Sequence, residues 1–201
     1  MTNLFVLGRS GGLGRNVMDI TCAVGVGRVS IPHWATSLDR VEGELHVINL
    51  TGQTYSAMLH KDSEDDAQRL LDTNIMHNVR VLKALRPIFK SHPSSTFTMV
   101  GSVTAQLGTV GTGVYSATKS ALEGLTRVAA NEFAPFARVN LLHLGYCDVG
   151  MIASVPNRDA VVAQIPLKRL GTAEDVAEAW RFFINCRYVT GAIVNVNGGL
   201  C

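Results

Sequence analysis

At 201 residues, 47% of them hydrophobic, the chain is long enough to bury a substantial core, and its length suits one domain over 1–201. Its formal net charge of +2 carries no run of lysine or arginine, which argues against nucleic acid or a polybasic membrane patch as a partner. Charged residues make up 17%, below the roughly 25% of an ordinary soluble domain, so other subunits are expected to cover part of the surface.

The chain opens on the apolar run Leu4 to Leu7, which reads as a buried strand over 3–7. That run is too short for a signal peptide and lacks a positively charged n-region, and no later stretch is long enough to span a membrane. Cys22, Cys147, Cys186 and Cys201 show no Cys-x-x-Cys spacing and are expected to be reduced thiols of a cytoplasmic protein. The six histidines show no zinc-site spacing, so no metal is expected, and His143 reads as a satisfied structural histidine rather than a catalyst.

After the first strand come Gly8, Gly12 and Gly14, then a helix expected over about 15–25 and a short strand over Arg28 to Ile31. A loop through His33 and Trp34 is expected to lead directly to a strand over 45–49. A helix starts near Ser63 with acidic residues in its first turn. It continues with Leu70, Leu71, Ile75, Val79, Leu82 and Leu85 on one face, and Pro87 is expected to kink or end it. Strands over 96–101, 138–143 and 192–196 follow, with a helix over about 114–133 between the first two. Strands alternating with helices imply a parallel sheet covered on both faces, an α/β doubly wound fold. Only 34 residues separate Gly14 from Asn49, too few for the helices and two further strands of a complete first half. One crossover unit is therefore expected to be missing there.

Two groups of residues carry chemistry. Tyr115 and Lys119 lie four apart, on one face of a helix, with Ser102 thirteen residues before the tyrosine. An ammonium beside a phenol favours the phenolate and suits proton exchange with a substrate oxygen, although a tyrosine and a lysine at this spacing also occur as a plain surface pair. The glycines after the first strand suit a tight turn into a helix whose free N–H groups bind a pyrophosphate, and a tight turn alone would need glycine too.

Together these residues resemble the short-chain dehydrogenase/reductase family, with matches in the family's order from the first strand to the last. Gly8, Gly12 and Gly14 match its glycine-rich turn, and Asn49-Leu-Thr-Gly52 is similar to its Asn-Asn-Ala-Gly motif. Asn74, Ser102, Tyr115 and Lys119 match its catalytic tetrad. Arg138 to Gly145, Ile165 to Gly171 and Val194 to Gly199 match the closing segments, which look most like the 3-oxoacyl carrier-protein reductases. The resemblance implies a Rossmann-like dinucleotide-binding domain that reduces a carbonyl or oxidises a secondary alcohol by hydride transfer with NADP or NAD. It also implies a homodimer or homotetramer, built through the two long helices. Ser102 would hydrogen-bond the substrate oxygen, Tyr115 would be the proton donor, Lys119 would lower the tyrosine pKa and hold the nicotinamide ribose, and Asn74 would anchor a water.

The cofactor would lie on Gly8, Arg9, Ser10, Gly12, Leu13 and Gly14, on Asn49, Thr51 and Gly52, and on Gly145 and Cys147, with Asp39 at the adenine. Leu7, Leu50, Thr51, Leu144 and Val149 depart from the family pattern and bear on cofactor affinity more than on the tetrad. His33 and Trp34, taken as the end of the second strand, give no signal for the ribose, whereas Arg9 tilts the choice toward NADP unless it is an exposed arginine without a ligand. The altered turns and the shortened half also leave open a cofactor-binding module without turnover. The segment from about Gly150 to Gln164 is expected to cover the substrate.

Overall fold

The computed structural model describes residues 2–27, 31–149 and 157–200. Its strands are β1 (Thr2–Leu7), β2 (Val24–Val26), β3 (Glu44–Asn49), β4 (Ser95–Ser102), β5 (Ala137–Leu144) and β6 (Ile193–Val196). The helices are α1 (Gly12–Thr21), α2 (Ile31–Ser37), α3 (Glu64–Leu70), α4 (His77–Ser91), α5 (Thr104–Leu107), α6 (Gly113–Phe133), α7 (Arg158–Gln164) and α8 (Ala173–Asn185). The described strands form one sheet in the order β2-β1-β3-β4-β5-β6, and every pairing is parallel.

Alternate residues of each strand feed two cores. Phe5, Leu7, Leu45, Val47, Phe97, Met99, Val139 and Leu141 face α2, α4 and α6. Val6, Ile48, Leu142 and Leu144 face α1 and α8, whose Val17, Val176, Trp180 and Phe183 complete the second core. Both faces are therefore apolar, which is why the strands read as near-continuous hydrophobic runs. Between β1 and β3 the strand order reverses, and ligands of such sheets bind in the crevice beyond the carboxyl ends at that point.

The shortened first half retains one of the two strands that a complete half would hold, so one crossover unit is missing as expected. Its details differ from the expectation. The second strand is Val24–Val26, pairing with Phe5 to Leu7, and not the 28–31 segment, of which 28–30 lie outside the described residues. The first helix starts at Gly12 and stops at Thr21, where Cys22 turns into the left-handed region at φ 54°. His33 and Trp34 belong to a helix rather than a loop, because Trp34, Ala35 and Leu38 bury one face against the sheet, Trp34 edge-on to Phe5 at 6.2 Å. Of the segment expected over the substrate, 150–156 lie outside the described residues and Arg158–Gln164 forms α7.

Pro87 does not end α4, which continues to Ser91. A proline inside a helix costs about 3 kcal/mol. Ile88 and Phe89 beyond it are buried, and two such side chains return roughly 3–6 kcal/mol, enough to carry the helix past it. Between α3 and α4 the backbone widens into a π-helical turn, Leu71–Met76, which holds Asn74. Among the described residues no helix is long and apolar enough to cross a membrane.

Candidate functional site

Parallel strands bring their carboxyl ends to one edge of the sheet, and the candidate residues gather there. Gly8 follows β1, Asn49 ends β3 and leads into Leu50 to Gly52, Ser102 ends β4, and Gly145 to Cys147 follow β5. Gly8 takes φ +89°, and a Cβ there would stand 2.8 Å from the Thr51 nitrogen, so the two turns flanking the crevice touch only because this residue is glycine. A Cβ on Gly14 would lie 2.4 Å from the Gly8 carbonyl oxygen, which fixes the close approach of α1 to β1. Gly11 caps α1 without a side-chain hydrogen bond, leaving the first-turn N–H groups of Gly12, Leu13 and Gly14 available to an anion. These features fit the diphosphate of a dinucleotide.

Arg9 runs from the loop across the end of β2. A Cβ on Gly25 would meet its Cδ at 2.8 Å, and one on Gly27 would meet its Nε at 3.2 Å, so both glycines make room for the side chain. Val26, not His33 or Trp34, ends the second strand, and the Arg9 side chain lies beside that end. Asp39 is not brought to this place. It sits in the turn Leu38–Arg40 ahead of β3 and lines a groove between α2 and α4 with Arg80 and Lys83, because the chain has by then returned toward the amino ends of the strands.

Asn49 and Asn74 belong to one buried amide network. Asn49 donates to Asn78 Oδ1 at 2.8 Å, and Asn78 donates to the Asn74 carbonyl at 2.8 Å. The Asn74 side chain accepts from the Gln53 N–H at 2.9 Å and donates to the Gln53 carbonyl and to Thr118 Oγ1, each at 3.0 Å. The π-turn thus ties the loop after β3 to α6. A Cβ on Gly52 would lie 3.3 Å from both Asn74 Oδ1 and Lys119 Nζ, so that glycine keeps the two side chains within one small space. Gly145 donates its N–H to Val196 at 2.9 Å, and the Cys147 thiol is pushed up to about 11, first by burial and then by Asp175, and stays neutral.

Tyr115, Lys119 and Ser102 do come together. Ser102 Oγ accepts from the Thr104 hydroxyl at 3.0 Å and from the Thr104 N–H at 3.3 Å, so its own proton is free to donate. Lys119 Nζ donates to the Val100 carbonyl at 3.0 Å and lies 5.8 Å from the centre of the Tyr115 ring. Burial pulls the lysine down to about 8. It raises Tyr115 above its ordinary value, with the Ser102 hydroxyl acting the other way. In this arrangement the ammonium is directed at Val100, and desolvation sets the direction of the Tyr115 shift. The phenol, buried beside the Ser102 hydroxyl, therefore keeps its proton near neutral pH.

Thr104, Asn78, Thr118 and Glu123 hydrogen-bond within this cluster and were not singled out from the sequence, whereas His143, read there as a structural histidine, bonds both Ser102 and Glu123. Glu123 had a signal, standing four residues beyond Lys119 as Lys119 stands beyond Tyr115.

Comparison with known proteins agrees with this geometry. The family described as "Enoyl-(Acyl carrier protein) reductase" matches residues 28–201. The chain is 35% identical over 176 residues to the 3-oxoacyl-[acyl-carrier-protein] reductase FabG of Pseudomonas aeruginosa, covering 83% of this chain and 71% of that one. It is 36% identical over 155 residues to carbonyl reductase family member 4 of Danio rerio, covering 77% of this chain and 65% of that protein, so it spans only about two thirds of the length of these relatives. Aldohexose dehydrogenase of Thermoplasma acidophilum superposes with a TM-score of 0.88 at 19% identity, over 99% of this chain and 94% of that one, and shares the fold. Fold, motif order and sequence similarity lead to one conclusion: the chain belongs to the short-chain dehydrogenase/reductase family.

Proposed function

We propose that this protein is an NAD(P)-dependent oxidoreductase that reduces a carbonyl group or oxidises a secondary alcohol, with Tyr115 as proton donor. The observation that carries the reading is the buried, neutral Tyr115 phenol beside Ser102, with the Lys119 ammonium one turn behind it. The first-turn N–H groups of α1 would hold the cofactor diphosphate, Lys119 and Tyr115 the nicotinamide ribose, and Arg9 a 2'-phosphate. When bound, the nicotinamide supplies the hydride equivalent for the carbonyl carbon.

The chain's own groups manage the oxygen. Ser102, whose Oγ already accepts two hydrogen bonds, directs its proton at the carbonyl oxygen. Tyr115 transfers its proton to the same oxygen as charge develops there, so the two-electron reduction is completed by one proton from the protein. Lys119 stabilises the phenolate left behind. Relatives include a (3R)-3-hydroxyacyl-CoA dehydrogenase from Canis lupus familiaris as well as the acyl-carrier-protein reductases, which makes 3-oxoacyl thioesters the first substrates to try.

Tyr115→Phe tests the reading. It should lower kcat by about 100-fold or more while NADPH binding, read by nicotinamide fluorescence, stays nearly intact. Undiminished turnover in that variant would overturn the mechanism, and cofactor binding without turnover of any carbonyl by the unaltered protein would favour a non-catalytic cofactor module.

A further inference from the structure

The end of β4 raises a question that the proposed chemistry leaves unanswered: what holds Ser102 in place. On one side, β3 pairs with β4 only as far as Asn49 opposite Met99, so the sheet provides no strand beside Ser102 there. On the other side the ladder runs on to Ser102 opposite Leu144, and Val103 donates to the Leu144 carbonyl at 2.8 Å. The Ser102 N–H donates instead to a side chain, His143 Nδ1, at 3.0 Å.

An amide N–H can only donate, so Nδ1 carries no proton and the imidazole proton sits on Nε2. Nε2 faces Glu123 Oε1 at 3.1 Å, while the other carboxylate oxygen of Glu123 is held by Arg127 at 3.0 Å. The imidazole is fully buried, and Gly101 makes room for it, since a Cβ there would lie 2.2 Å from Nδ1. Glu123 stands four residues beyond Lys119 and eight beyond Tyr115, so one stripe of α6 presents phenol, ammonium and carboxylate in succession.

We infer that His143, held in one tautomer by Glu123, is a positioning residue that fixes the Ser102 backbone and thereby aims the Ser102 hydroxyl at the substrate oxygen. The inference rests on the function proposed for Ser102. With the other tautomer, an N–H would face the Ser102 N–H, and the strand end would have to move. The carboxylate prevents this by accepting from Nε2. A single misplaced hydrogen bond at a reacting oxygen is enough to lower turnover without altering how the cofactor binds.

The test is a set of variants with kcat expressed per NADPH-binding site, so that only folded protein is counted. His143→Ala should lower kcat about tenfold, with the cofactor Kd unchanged, because a buried N–H loses its acceptor. His143→Asn, which restores an acceptor oxygen at the δ position, should recover most of that loss. The double variant Ser102→Ala/His143→Ala should be no slower than Ser102→Ala alone, since a residue acting through Ser102 has nothing further to remove. Deuterium exchange at the Ser102 amide, slow in the unaltered protein, should speed up in His143→Ala. Should His143→Ala fail to fold, Glu123→Gln takes its place, with a loss of about threefold that also vanishes in the Ser102→Ala background. Losses that multiply in the double variant, or full kcat in His143→Ala while Ser102→Ala is impaired, would overturn the inference alone. Full turnover in Ser102→Ala would overturn the proposed role of the serine and this inference with it.

Discussion

Lys119 shows how far one residue can be read before its surroundings are known. Its spacing from Tyr115 is plain in the sequence, and the structure places both in one buried cluster. Its electrostatic effect could not be read there, because spacing gives neither the depth of the side chain nor the direction of its nitrogen. Burial brings its pKa from 10.5 to about 8. Between those two values the unfolded chain binds more protons than the folded one, so stability rises with pH across that window, and below about 8 the folded state bears the full cost of the buried charge. A difference of that size corresponds to an upper bound on the order of 3 kcal/mol. Lys119→Met, of similar shape and without charge, should therefore raise Tm at pH 7 by about 3–8 °C, remove the rise in stability between pH 8 and pH 10.5, and abolish turnover. Thermal and denaturant melts at several pH values read the first two effects. A variant less stable than the parent at pH 7 would show that the bond to Val100 outweighs desolvation.

Elements were legible where burial gives a run or a period. β1, β3, β4, β5 and β6 lie within a residue or so of their expected positions, because strands covered on both faces carry uninterrupted apolar residues. β2 was missed: three residues with a central glycine have no period to find. α2 does carry one, with Ile31, Trp34, Ala35 and Leu38 at helical spacing, but its seven residues make only two turns, too few for a period to stand out from a loop. The start of α8 offers a prediction on this scale. Thr172 accepts from the Asp175 N–H at 3.2 Å, Asp175 accepts from the Thr172 N–H at 2.7 Å, and Arg169 grips the same carboxylate through both nitrogens at 2.6 and 2.8 Å. Arg169 first, with Thr172 adding to it against an opposing burial effect, holds the Asp175 carboxyl well below its usual range. Asp175→Asn should cost about 1 kcal/mol at pH 7. A depressed carboxyl pKa contributes stability above the unfolded value of about 3.8 and loses it as pH falls below, so the gap between parent and variant should close on acidification. An equal gap at pH 7 and pH 3 in urea melts would contradict this account.

On the scale of the whole molecule, the sheet keeps the edge where the chemistry gathers and gives up part of the half beyond β1. β3, β4 and β5, which end at Asn49, Ser102 and Leu144, lie inside the sheet, whereas the outer edge beside the glycine loop is the three-residue β2, with Val24 60% exposed. An adenine set against so short an edge has protein on fewer sides, and each square ångström of apolar area left in water forfeits about 25 cal/mol. Dinucleotide affinity should accordingly be modest, and discrimination should rest on charge rather than on enclosure. Arg9 is the charge in position, laid over Gly25 and Gly27 at the end of β2. Arg9→Ala should weaken NADPH binding more than NADH binding, by about tenfold against twofold or less, because only the former carries a 2'-phosphate to pair with. Raising the salt should narrow the NADPH preference of the unaltered protein, since Arg9 is exposed and an exposed ion pair is screened over about 10 Å at 0.1 M. Fluorescence titrations of both cofactors at two ionic strengths measure all of this. Equal losses for NADPH and NADH in Arg9→Ala would show that the arginine packs on its glycines without reading the phosphate.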